Sequence, residues 1–90
     1  LAELLPQSQE ITLQQIIDEI SVEYKLTERQ SEVFSYLARG RNISFIKEKL
    51  TLSTPTVKSH TYNIYQKLDV HSHQELIDLV ENRFNQAIGH

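Results

Sequence analysis

Residues 50–68 constrain this chain more than any other stretch. Leu50 and Leu52 flank a break, Ser53 stands at a natural helix N-cap, and Pro55 falls in the first helical turn, where its missing N–H costs little. From there Val57, Thr61, Ile64 and Leu68 recur at steps of four, three and four residues, which gives one inward helical face. The opposite face carries Thr54, Lys58, Ser59, Tyr62 and Gln66, side chains that donate, accept or stack. A shorter helix precedes this one across a turn of three or four residues. Two helices joined so closely read as a helix-turn-helix, the arrangement that offers its second helix to a DNA major groove. The same pattern also suits a surface helix of an all-α domain that never touches DNA, so the rest of the chain has to decide.

The flanking sequence predicts more helices. Residues 1–10 read as a linker or the end of an upstream region, because Pro6 stops any helix formed by Leu1, Leu4 and Leu5. Within 11–25, Thr12 can cap a helix over 12–24 whose stripe is Leu13, Ile16, Ile17, Ile20 and Tyr24. That helix either enlarges the core of the same domain or mediates contact with a second copy or an upstream domain. Thr27 and Gln30 have capping-box spacing, and Gly40 supplies the left-handed residue that ends the next helix after Val33, Phe34, Leu37 and Ala38. Asn42 can cap a short helix in which Ile46 and Leu50 face inward, while Ile43 and Phe45 cannot both share that narrow stripe. Ser72 and Glu75 form a second capping-box pattern before a helix carrying Leu76, Ile77, Leu79, Val80, Phe84 and Ile88. This is more apolar surface than one stripe needs, so it is either end-of-core burial or in part a homodimer contact. The fold class is therefore all-α: four helices within 26–90, preceded by an extra one.

The charge is distributed to suit that reading. The 90 residues sum to −3, which alone argues against a nucleic-acid binder. Yet residues 1–26 hold five acidic groups and one basic, residues 71–90 hold three and one, and residues 27–70 hold seven basic against four acidic. The positive excess lies with the helix-turn-helix, and location is what counts. It is small, so non-specific affinity should be modest and dimerisation or clustered sites needed.

Catalysis has no visible basis. The chain has no Cys, hence no thiol nucleophile and no thiolate metal site. Its histidines are His60, His71, His73 and His90, none with a second ligand four residues away on a helix. No serine elbow, phosphate loop or paired carboxylates occur. The chain is expected to be no enzyme and to need no cofactor or metal. No apolar run approaches a membrane span and no leader is apparent. Leu1 stands where Met would begin a complete protein, so the chain is expected to be a fragment of a longer one.

Residues 26–80 resemble the LuxR-type (FixJ/NarL-type) helix-turn-helix of bacterial transcription regulators. The resemblance is carried by Leu26, Thr27, Arg29, Glu32 and Val33, then Leu37, Ala38 and Gly40. It continues through Ile46, Leu50, Leu52, Ser53 and the run Thr56-Val57-Lys58-x-His60. Asn63, Ile64, Lys67, Leu68, Val70, Ser72, Glu75, Leu76 and Ile77 complete it. Such a domain is the C-terminal output module of a regulator and binds specific sequences in double-stranded DNA with the third of its four helices. The resemblance implies base contacts from Lys58, Ser59 and Tyr62. It implies phosphate contacts from Thr56, His60 or Asn63, and Lys67, with backbone N–H groups at the start of the 43–49 helix adding to them. His60 has a structural alternative, a hydrogen bond within the domain. The resemblance also implies a homodimer through the last helix, at Ile77, Val80 and Phe84, and a sensory or receiver domain upstream. The setting would be cytoplasmic, with any membrane anchor in that upstream region. The rival is a protein-interaction or dimerisation domain that keeps the scaffold without binding specific DNA.

Four departures from the family pattern stand out. Phe45 occupies the usual position of a Glu, Lys47 that of a small Ala, Gln30 that of the capping Glu, and His73 that of an Arg. A Lys at 47 requires its stem along the surface and its amine in water. The exposed ring at 45 suggests that the 12–24 helix packs over it.

Overall fold

A computed structural model describes residues 11–89. The segment read as linker, residues 1–10, and His90 lie outside the described residues. Five helices follow one another: α1 Leu13–Glu23, α2 Glu28–Ala38, α3 Ile43–Leu50, α4 Thr54–Leu68 and α5 His73–Ala87. There is no strand among the described residues.

Each helix begins on a side chain that answers one of its free N–H groups. Thr12 Oγ1 accepts from Gln15 N at 3.1 Å, and Gln15 Oε1 accepts from Thr12 N at 2.8 Å, a complete capping box. Thr27 and Gln30 form the same box at 3.2 and 3.1 Å. Asn42 Oδ1 accepts from Phe45 N at 2.8 Å, and Ser53 Oγ from Thr56 N at 3.3 Å. At α5 only half of the expected box forms. Ser72 Oγ accepts from Glu75 N, but the Glu75 carboxylate accepts from the N–H of His71 instead of that of Ser72.

The helices also end alike. After α1, α2 and α4 the chain closes with paired backbone bonds of the Schellman kind: Leu26 N to Ser21 O with Lys25 N to Val22 O, Arg41 N to Tyr36 O with Gly40 N to Leu37 O, and Val70 N to Tyr65 O with Asp69 N to Gln66 O. Leu52 N to Lys47 O makes the long bond of the pair after α3. Each closure needs a left-handed residue. Gly40 supplies it as expected, at φ +83°. Lys25, Thr51 and Asp69 supply it without being glycine, at φ 59°, 54° and 58°. The residue that follows is apolar in three of the four closures, and Leu26, Leu52 and Val70 all lie on or in the core.

One core joins all five helices. Phe34 is its largest side chain, surrounded by Val33 and Leu37 of α2, Ile46 of α3, Val57, Ile64 and Leu68 of α4, and Leu76 and Val80 of α5. Ile16, Ile17 and Ile20 belong to the same cluster, each at most 1% exposed. Helix α1 therefore packs in cis, against α2 and α5. Arg83 Nη1 donates to Glu23 Oε1 at 2.8 Å and Arg39 Nη2 to Gln14 Oε1 at 2.9 Å, tying both flanks of α1 down. The hydrogen bond from Arg83 to Glu23 raises the guanidinium pKa above its ordinary value. Burial of Ser21 costs little because its hydroxyl donates to Ile17 O at 2.9 Å.

The expectation that α1 covers Phe45 is not met. The Phe45 ring meets the Tyr36 ring edge-on, with centroids 5.6 Å apart, and the Arg41 guanidinium lies 4.5 Å from its centroid. The stripe of α3 is set by Ile43, Ile46 and Leu50, all against the core, and Phe45 falls off its edge toward α2. Lys47 is exposed, as its stem requires.

Candidate nucleic-acid interface

Helix α4 owes its orientation to its buried side. Val57, Ile64 and Leu68 sink into the core, and α2 and α3 pack against it. At its start, Ser53 Oγ caps Thr56 N and also donates to Thr56 Oγ1 at 2.8 Å. That leaves the Thr56 hydroxyl proton free to point elsewhere. Pro55 stands in the first turn, where no intrahelical partner is lost.

The other side of α4 is open. Lys58, Ser59, Tyr62, Asn63 and Gln66 are exposed, and Tyr62 shows 63% of its surface. Lys58 and Tyr62 are four residues apart and lie one above the other, with Ser59 beside them. No carboxylate occurs between Thr54 and Leu68, so nothing on this helix repels an anion. The face thus combines a point charge, a hydroxyl and an amphipathic ring. These suit a guanine O6/N7 edge, either kind of base edge, and a thymine methyl respectively.

The flanking residues separate into two groups. Thr56 and His60 are half-buried and Asn63 exposed, at the margins of this face. Lys67 is different. Its Nζ donates to the backbone carbonyl of Lys25 at 2.9 Å and to Gln30 Oε1 at 2.8 Å. Lys67 is exposed, but its ammonium is engaged by acceptors of the same chain, a pairing with partners 42 and 37 residues away that no local pattern announces. Gln30 is 7% exposed, and its oxygen serves both the α2 cap and this lysine.

Beside the open face runs a groove of about 450 Å³ lined by Leu37, Asn42, Ile43, Ser44, Thr61, Tyr65 and His73. Thr61 Oγ1 is buried and without a hydrogen-bond partner among the described residues. Burial raises the Tyr65 phenol pKa above its usual 10.0. His73 Nε2 lies 2.7 Å from Leu37 O. A carbonyl only accepts, so Nε2 carries the proton, and the ring serves as a tie from the start of α5 to the end of α2.

The residues expected at a dimer contact divide on burial. Val80 is 1% exposed and fully used by the core of its own chain, so it is not available to a partner. Ile77 and Phe84 are half-buried and pack against the core while keeping an outer edge, and Ile88 beyond them is 41% exposed. Among the described residues no helix is long and apolar enough to cross a membrane, and no three His, Asp or Glu gather as a metal site would need.

Residues 24–80 match the family described as bacterial regulatory proteins, luxR family. An uncharacterized response regulatory protein of Escherichia coli, YgeK, is 42% identical over 64 residues, 71% of this chain and 44% of that protein. The fimbriae Z protein of Salmonella typhimurium is 42% identical over 57 residues, 63% of this chain and 27% of its own length. The response regulator UvrY of Escherichia coli is 35% identical over 54 residues, 60% of this chain and 25% of its own. The chain thus spans less than half the length of these relatives. No solved structure matches it.

Proposed function

The chain belongs to the luxR family of bacterial regulatory proteins, and we propose that it binds specific sequences in double-stranded DNA as the output domain of a transcription regulator. The observation that carries this reading is the open face of α4. Lys58, Ser59 and Tyr62 are exposed together on a helix that bears no carboxylate and whose reverse side is locked in the core. Lys58 donates to guanine O6 or N7, Ser59 donates or accepts at the neighbouring base, and Tyr62 meets a thymine methyl or a phosphate. Thr56, His60 and Asn63 meet the phosphates that fix the helix in the groove.

Two extensions follow from the same reading. The half-buried edges of Ile77 and Phe84 would form a homodimer contact on α5, and a two-fold dimer would read half-sites about one helical turn apart. Relatives named as response regulators suggest a receiver domain upstream in the full-length protein, and a cytoplasmic setting where DNA is within reach. Selection from a random pool of duplexes in about 0.1 M salt tests the central point. Enrichment of a common site supports it. A pool that stays random, with retention insensitive to salt, favours an interaction domain without specific DNA binding.

A further inference from the structure

We propose that Lys67 is a positioning residue that holds the DNA-reading helix in register with the junction between α1 and α2, and not a phosphate ligand. This inference rests on the DNA-binding reading of α4. Lys67 lies in the last turn of α4. Two of its three N–H donors are taken by Lys25 O and Gln30 Oε1. Lys25 is the left-handed residue that closes α1, so its carbonyl points out of the helix ladder and needs an outside donor. Gln30 is buried, and its oxygen already accepts from Thr27 N. One ammonium therefore ties together the end of α1, the cap of α2 and the end of α4. These are charge-assisted bonds to neutral acceptors, weakened by solvent because the lysine is exposed.

The consequence reaches both ends of the helix. Val57, Ile64 and Leu68 fix how deep α4 lies, but apolar contacts tolerate small rotations about the helix axis. Lys67 restricts that rotation from outside the core, and rotation is what moves Lys58, Ser59 and Tyr62 relative to base edges. Because one acceptor is the α1 terminus, a displacement of α1 is transmitted to the reading face through this residue. The extra helix is thereby coupled to DNA recognition without touching DNA.

The test uses Lys67→Met, which keeps the aliphatic stem and removes the donors, and Lys67→Arg, which restores charge and donors. Each is bound to the selected duplex and to a scrambled duplex of equal length over about 50–200 mM salt. Hydrogen exchange is followed at the Tyr24, Lys25 and Leu26 amides, which donate to Ile20, Val22 and Ser21. The proposal predicts about a tenfold loss on the selected duplex for Lys67→Met, in line with a charged hydrogen bond. Binding to the scrambled duplex and the salt slope should be unchanged, exchange at the three amides faster, and Lys67→Arg close to wild type. Equal losses on both duplexes, with the salt slope reduced by about one, would make Lys67 a phosphate ligand and overturn the proposal. A variant that melts earlier but keeps wild-type affinity for both duplexes would leave only a structural tie, and also overturn it. If wild type itself prefers neither duplex, the DNA-binding reading fails first and takes this inference with it. That result is distinct from a wild-type preference that Lys67→Met leaves intact.

Discussion

Replacing Ile20 by Ala tests whether α1 is an integral part of the domain. The matching family region begins at residue 24, after α1 has ended, so a separable appendage would be the simple reading of the sequence match. The packing argues otherwise. Ile20 is 0% exposed and lies in one cluster with Val33, Phe34, Leu76 and Val80. Truncating a fully buried isoleucine to Ala removes its transfer free energy and leaves a cavity, about 2–5 kcal/mol together. Domains of this size are stable by about 5–15 kcal/mol in all, so the loss is a large fraction of the total. With a urea slope of about 1–3 kcal/mol per molar, the unfolding midpoint should fall by about 1 M or more. The same helix provides a control, because Val22 is 79% exposed. Val22→Ala should change stability by about 0.5 kcal/mol or less, since Ala also favours the helix slightly. Urea unfolding followed by far-ultraviolet circular dichroism measures both. Equal and small shifts for Ile20→Ala and Val22→Ala would refute the reasoning and detach α1 from the core.

Other predictions concern single features. Thr51 is β-branched and held at φ 54°, ψ 53°; Thr51→Gly should remove about 1–2 kcal/mol of strain against about 0.5–1 kcal/mol of added unfolded-state entropy, and raise the melting temperature. A lower melting temperature would contradict that. Phe45→Glu should leave hydrogen-exchange protection in α1 as it is, because the ring meets Tyr36 and Arg41; faster exchange across α1 would show a contact with α1 after all. The Tyr65 pKa is raised by burial, so folding favours the neutral phenol. Its contribution is fully present below pH 10.0 and lost as pH rises through the higher folded value. Tyr65→Phe should therefore flatten the alkaline decline in stability, and an unaltered decline would assign it to other groups.

Much of this fold was legible because it is specified locally. Thr12, Thr27, Asn42, Ser53 and Ser72 each begin a helix within a few residues of the group they cap, and Gly40 ends one. The stripes of α1, α2 and α4 follow the helical period, and the exposed Lys58, Ser59 and Tyr62 are what that period leaves outside. What escaped the sequence depends on distant partners. Lys67 looks like a surface cation until α4 brings it beside Lys25 and Gln30. His73 looks like a weakened basic contact until α5 sets its ring on the Leu37 carbonyl. Phe45 was misplaced for a related reason: periodicity says that it leaves the stripe but not which neighbour it meets. The family resemblance implies Val80 at a dimer contact, and only packing tells which apolar residues of α5 the chain itself consumes.

The central claim is that α4 reads bases through the side chains it leaves exposed. The most direct measurement compares wild type and Lys58→Ala on the selected duplex and on its set of single-base variants, at one fixed salt concentration. Lys58→Ala should weaken binding to the selected duplex by about 1–3 kcal/mol. Discrimination should disappear at one base pair and survive at the others. Equal affinity of wild type and Lys58→Ala across the whole set, or a uniform loss with discrimination intact at every position, would contradict it.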